Sequence, residues 1–280
     1  MGPSGVRGQV RPRTTAPRIV PSPRGGAGAL SSEEAELATQ TKTALVTGAG
    51  SGIGRAIAQV LDQMGHRVAL VGRDASKLEV TRGAMRGGGE GTIIEACDVA
   101  DRPAVQAVVA RVLAEMGSID VLVCNAGTNV RRRSLETLSP EDWDLMIATN
   151  LTGAFNLVHA VLPSMRAREA GLVIQVASIA GKRASVLGGA GYSASKFGQA
   201  ALGIGLGREV GAHGIRSSVI YPGEVNTPIL DARPVPVATE RREAILQPDD
   251  VAAAVRFLVE LHPRAHVPEL VIKPTVDDWC

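Results

Sequence analysis

The chain is poor in rings: three phenylalanines, two tyrosines and two tryptophans serve 280 residues. Its core must be built from valine, leucine, isoleucine and alanine, which favours buried parallel strands flanked by helices. Cysteine is equally sparse. Cys97, Cys124 and Cys280 are an odd set with no CxxC spacing and no histidine at ligand spacing. They point to neither a disulfide framework nor a zinc site, so no metal is expected, and reduced thiols in a cytoplasm are the simpler reading. No stretch approaches the roughly 18 apolar residues of a spanning helix, and the basic N-terminus lacks an apolar signal core, so no membrane partner is expected. No basic stripe with interleaved aromatics marks a nucleic-acid surface. No internal repeat is visible.

What is present is more directive. Apolar residues make up 45% of the chain, and the net charge is only +2. The charge is unevenly placed: Arg7, Arg11, Arg13, Arg18 and Arg24 lie in the first thirty residues without one acid, which leaves the remainder slightly acidic. Residues 1–40, rich in Pro, Gly and Arg, cannot bury enough surface to offset their ordering entropy and are expected to be a disordered basic extension. Residues 41–280 are expected to form one domain. There, short apolar runs bounded by Gly, Asp or Asn recur at Thr43–Thr47, Arg67–Gly72, Thr92–Ala96, Ile119–Cys124, Leu172–Ala177, Arg216–Tyr221 and Glu269–Lys273. Helix-length segments lie between them, among them Ile53–Met64, Ala75–Met85, Pro103–Met116, Tyr192–Ala212 and Asp249–Leu261. This alternation predicts an α/β fold: a single doubly wound Rossmann domain, with a parallel sheet of about seven strands and helices on both faces.

Directly after the first strand comes Thr47-Gly48-Ala49-Gly50-Ser51-Gly52-Ile53-Gly54, then a helix. Its spacing is GxxxGxG rather than the GxGxxG fingerprint. Glycines there let the backbone turn tightly and approach a pyrophosphate, and the helix N-terminus offers N–H groups to the anion. A plain turn would read similarly, but the strand–loop–helix placement favours a dinucleotide. The second strand ends Gly72-Arg73-Asp74, where an acid would bind a ribose diol and an arginine a 2′-phosphate. Arg73 therefore favours NADP(H), with NAD as the alternative if Arg73 is only a solvated loop charge. Asp74 suits the cap of the next helix.

Tyr192 and Lys196 share one helical face at i, i+4. A tyrosine titrates near ~10, and a neighbouring ammonium favours its phenolate, which suits proton exchange with a carbonyl or alcohol oxygen. Alone, such a pair is more often mere packing. Ser178 follows the fifth strand, at the carboxyl end of the sheet where open α/β folds bind ligands, and is read either as a substrate-orienting hydroxyl or as a turn cap. Asn150 sits inside a helix, where asparagine is a poor former. It is either a buried amide bonded to backbone or a helix distortion that holds a relay water.

At this point the residues carry a resemblance. From Thr43 to about Thr275 the chain resembles the short-chain dehydrogenase/reductase (SDR) family. The shared elements are Thr47–Gly54, Asp98-Val99, Cys124-Asn125-Ala126-Gly127, Asn150, Ser178, Tyr192-x-x-x-Lys196 and Pro222-Gly223-x-x-x-Thr227, in family order. The resemblance implies that Tyr192 is the acid/base, that Ser178 positions the substrate oxygen, and that Lys196 tunes Tyr192 and holds the nicotinamide ribose. Asn150 would hold the relay water. For the cofactor it implies contacts from Gly48, Ser51, Gly52, Ile53, Gly54 and Arg73, from Asp98 and Val99 beside the adenine, and from Asn125, Ala126 and Gly127. Tyr192 and Lys196 would also touch it, and Pro222, Gly223, Val225 and Thr227 would hold the carboxamide. Cys124 departs from a frequent asparagine.

The substrate wall is expected from Ala184–Gly191 and from a long loop, Val225–Gln247. The loop carries Asp231, Arg233, Arg241 and Arg242; an arginine there would suit a substrate carboxylate, although solvated charges are commoner. The C-terminal part is similar to a branch acting on 3-hydroxy acids and small or terpenoid alcohols, and it lacks the Gly-Gly ending common in 3-oxoacyl thioester reductases. The expected function is an NADP(H)-dependent oxidoreductase interconverting a small carbonyl compound and its alcohol, such as a 3-hydroxy acid. The alternatives are a 3-oxoacyl thioester reductase and an NAD-preferring alcohol or polyol dehydrogenase. A non-catalytic nucleotide sensor and a sugar-nucleotide epimerase rank lower. The resemblance further implies a homodimer or homotetramer through the helices Asp142–Arg168 and Tyr192–Ala212.

Overall fold

Strand alternation in the first strand sets the layers. Ala44 and Val46 turn to one side and Leu45 to the other, and all three are fully buried. The structure, a computed structural model, describes Gly2 and residues 42–277. Apart from Gly2, the expected disordered extension lies outside the described residues, as does Cys280. Seven strands are described: β1 (Thr43–Thr47), β2 (Arg67–Gly72), β3 (Ile93–Ala96), β4 (Val121–Cys124), β5 (Gly171–Val176), β6 (Ile215–Pro222) and β7 (Glu269–Ile272). They form one parallel sheet in the order β3-β2-β1-β4-β5-β6-β7. This is the expected doubly wound Rossmann arrangement, and the order reverses between β1 and β4, where such folds open a crevice for ligands.

On the Val46 side pack α1 (Gly52–Gln63), through Ile57 and Leu61, and α8 (Pro248–Glu260), through Val251 and Val255. On the Leu45 side pack α3 (Arg102–Met116), α5 (Gly153–Arg168) and α6 (Ala190–Val210), through Val108, Val161 and Leu206. Each such aliphatic side chain contributes roughly 1.5–3 kcal/mol by burial. Polar residues set the helix starts. Asp74 accepts from the N–H groups of Ser76 and Lys77 to begin α2 (Ala75–Gly83), as its position predicts. Asp101 caps α3, which stops at Gly117. Ser139 caps α4 (Pro140–Ile147), and Gln247 with Asp250 makes a capping box on α8. The fourth strand begins at Val121 rather than at Ile119, because the Asp120 carboxylate takes the Thr43 N–H at 2.8 Å and pairs with Arg168.

Two expectations need correction. The segment Pro140–Arg168 runs as one continuous 29-residue helix whose apolar window reaches a mean hydropathy of 1.5, long and apolar enough to cross a membrane. Counting unbroken apolar residues missed it, because Thr149, Asn150, Thr152 and Asn156 interrupt the run without adding charge. Here Met146, Leu157, Val161 and Met165 bury this helix in the core. Second, Val225–Gln247 is not an unstructured loop. It holds a 3₁₀ turn, Pro228–Ala232, and a short helix, α7 (Thr239–Ala244), and is tied back by a bridge between Val225 and Leu246.

Candidate active site

The glycine loop is shaped by close approach. A Cβ on Gly54 would lie 2.2 Å from the Gly48 carbonyl oxygen and 2.5 Å from Asn125 Nδ2, so no side chain fits there. Ser51 starts α1 without a side-chain cap bond, which leaves the first-turn N–H groups uncovered by the cap. Arg55 holds the loop from behind by donating 2.6 Å to the Gly50 carbonyl. Thr47 joins the two halves of the crevice: its Oγ1 accepts from the Asn125 and Ala126 N–H groups, while Asn125 Nδ2 donates to the Thr47 carbonyl. Asn125 is thus a strut of the cleft as well as part of its lining.

Gly48, Ser51, Gly52, Ile53, Arg73, Asp98, Val99, Asn125, Ala126, Gly127, Ser178, Tyr192, Lys196, Pro222, Gly223, Val225 and Thr227 all line one cleft of about 600 Å³. Of the expected catalytic and cofactor residues only the buried Gly54 and Asn150 are missing from this lining. The two expected substrate walls reach it in part, through Ser185, Leu187 and Gly188 and through Ile229, Leu230 and Arg233, but not Arg241 or Arg242. Arg73 is exposed at the β2 end, and the neighbouring carboxylate of Asp74 is occupied by its helix cap. Val99 is buried, and Asp98 accepts the Ala100 N–H.

Ser178 extends from the end of β5. Its Oγ accepts the Ala180 N–H at 3.1 Å, so it does cap a turn, and it lines the cleft together with Tyr192. Burial raises the Tyr192 pKa, while Ser178 and the charge of Arg133 oppose that rise. Lys196 is buried, and its Nζ donates to the Val176 carbonyl at 3.0 Å and to Gln199 Oε1 at 2.7 Å. It lies 5.9 Å from the centre of the Tyr192 ring. Burial brings its pKa down to about 7. Asn150 is fully buried in a π-turn, Ala148–Thr152, set between α4 and α5. Its Oδ1 accepts the Thr128 N–H, and its Nδ2 donates to the Thr128 carbonyl and to Ser195 Oγ. The helix is distorted at this residue, and the amide is bonded to backbone.

Two residues were missed by sequence reasoning. Gln199 grips Lys196 and is itself held by Gln175 and the Cys124 carbonyl. A polar residue one turn past Lys196 on a buried helix face was its only signal. The other is Arg133, 7% exposed, whose guanidinium donates to the carbonyls of Val130, Leu187 and Ala232. It joins both expected substrate walls and lines the cleft beside Tyr192. Read in sequence, Arg131-Arg132-Arg133 is a solvated charge run, and nothing local marks its third member as buried.

Cleft, strand order and the Ser178–Tyr192–Lys196 group together define a dinucleotide-dependent oxidoreductase. The family profile described as short chain dehydrogenase matches residues 42–235. The chain is 43% identical over 191 residues to the protein named as ketoacyl reductase of the monensin polyketide synthase in Streptomyces virginiae, covering 68% of this chain and 72% of that one. It is 34% identical over 226 residues to the acetoacetyl-CoA reductase of Shinella zoogloeoides, covering 78% and 90%. Among solved structures, an actinorhodin polyketide ketoreductase variant with NADPH matches at a TM-score of 0.76 and 32% identity, covering 85% and 98%. The chain belongs to the short chain dehydrogenase family and is an NAD(P)-dependent oxidoreductase.

Proposed function

We propose that this protein is an NADPH-dependent ketoreductase that reduces the 3-oxo group of an acyl compound. The observation that carries the reading is the convergence of Ser178 and Tyr192 on the cleft that also holds the glycine loop and Arg73. The names of those relatives, ketoacyl reductase, acetoacetyl-CoA reductase and polyketide ketoreductase, support a 3-oxoacyl group as the part that is reduced. They give no support to an NAD-preferring polyol dehydrogenase.

The residues fit the dinucleotide. The backbone of Gly48–Gly54, with glycine at every second position, would take the pyrophosphate, and Arg73 the 2′-phosphate. Asp98 and Val99 would flank the adenine, and Asn125–Gly127 would line its path. Lys196 would hold the nicotinamide ribose, and Pro222, Gly223, Val225 and Thr227 the carboxamide. When bound, the cofactor supplies the hydride. Ser178 then orients the substrate oxygen, and the Tyr192 hydroxyl gives it a proton. Lys196, drawn off Gln199, stabilises the resulting phenolate, and Asn150 braces the helix behind Tyr192 through Ser195, whose Oγ also donates to the Tyr192 carbonyl.

The reading is tested by NADPH oxidation with acetoacetyl thioesters. Turnover that disappears in Tyr192→Phe while NADPH still binds supports it; tight cofactor binding with no turnover of any carbonyl compound would instead favour the sensor. A dimer or tetramer is proposed as well, supported by Trp143, Leu145, Phe155 and Phe197, which expose 37–43% of their surface on α4, α5 and α6. A cytoplasmic location is proposed on the free, buried state of Cys97 and Cys124.

A further inference from the structure

Arg133 is a buried cation without a carboxylate. Its three protein partners are backbone carbonyls, and no acid stands within ion-pair distance of it among the described residues. A second arginine, Arg233, reaches the same cleft and is paired at 2.6 Å with Glu224, which also binds Arg241; Arg241 in turn meets Asp277. Two guanidiniums, Arg233 and Arg241, thus share the carboxylates of Glu224 and Asp277, while Arg133, beside Tyr192, pairs with neither. Burying an unpaired cation is costly, and a further cation nearby raises the cost. Three of the five N–H donors of Arg133 are used, and the remaining two have no protein acceptor.

We propose that Arg133, backed by Arg233, is the subsite for a carboxylate on the substrate, so that the acyl compound reduced at Tyr192 is a free oxo acid rather than a thioester. The inference rests on the ketoreductase reading and specifies its substrate. The guanidinium is fixed on both substrate walls before anything binds, which suits bidentate capture of a planar anion. The carboxylate supplies the missing counter-charge and sets the distance from the acid end to the oxygen that Tyr192 protonates.

The test measures kcat/KM with NADPH for acetoacetate, methyl acetoacetate and the N-acetylcysteamine thioester of acetoacetate, in the wild type, Arg133→Gln and Arg133→Lys. Calorimetry of acetoacetate with the NADP⁺-loaded protein runs alongside, and circular dichroism confirms folding. The wild type is expected to prefer the acid over both esters by about 10- to 100-fold, the value of a charge-assisted pair of hydrogen bonds. Arg133→Gln should erase that ratio, and Arg133→Lys should keep part of it. A purely structural tie between the walls would lower all three substrates together and leave the ratio intact, which would overturn the proposal. So would equal use of acid and ester by the wild type, with the ketoreductase reading still standing. Conversely, Arg133-dependent binding of acetoacetate without turnover of any substrate would overturn the ketoreductase reading and keep the subsite. Neither binding nor turnover would overturn both.

Discussion

The two halves of the cleft are built from different materials. On the β1–β3 side the working surface is mostly main chain: the Gly48–Gly54 loop, an α1 N-terminus without a cap bond, and one exposed arginine at a strand end. On the β5–β6 side it is side chain, and one residue, Arg133, ties together Val130, Leu187 and Ala232, which are 54 and 99 positions away in the latter two cases. A main-chain surface tolerates no added atoms, whereas a side-chain surface can change its ligand by exchanging one residue.

The predictions follow that contrast. The largest effect should come from Tyr192→Phe, which removes the proton donor and should cost at least the 10²–10⁴-fold typical of general acid catalysis, with NADPH binding retained by fluorescence. Gly54→Ala should come next. The added methyl must displace the Gly48 carbonyl, so cofactor binding should be lost and stability should fall by about 1–3 kcal/mol in denaturant titration. If Gly54→Ala binds NADPH normally, the main-chain description of this half is wrong. Arg73→Ala should weaken NADPH by roughly 10- to 100-fold and bring its affinity close to that of NADH. Unchanged discrimination would make Arg73 a solvated charge. The last prediction concerns pH. Lys196 has a free pKa of 10.5 and, through burial, one of about 7 in the fold. Between these values the unfolded chain binds more protons, so this residue adds stability as pH rises from 7 toward 10. Its contribution is absent below 7. The thermal midpoint of the cofactor-free protein should therefore depend less on pH from 7 to 9.5 in Lys196→Met than in the wild type.

The same contrast decides how far the sequence could be read. The strands were legible because each is a run of Val, Leu and Ile bounded by a breaker, and all seven lie within two residues of the expected ends. The glycine loop was legible because a main-chain surface leaves its mark in residue spacing. Asp74 was legible as a cap because capping is local. Arg133 was not, since its burial depends on two segments that the chain reaches only after three and five more elements. Gln199 was hidden for a similar reason: its partners, Gln175 and Cys124, lie on two other strands. The helix distortion at Asn150 could be anticipated from a poor helix former, but its bond to Ser195 could not.

Gly189, the residue before α6, has φ +80°, and a Cβ there would lie 2.8 Å from the Cβ of Arg133 and 2.6 Å from its carbonyl oxygen. Positions 133 and 189 are therefore not free to drift independently. The closest atoms at 133 are its carbonyl oxygen and Cβ, which any side chain there keeps, so a lineage that replaces the glycine must move the backbone that carries 133. In an alignment of relatives, glycine at 189 should persist where the backbone at 133 keeps this approach, and its loss should accompany a change in the length of the loop that carries 133.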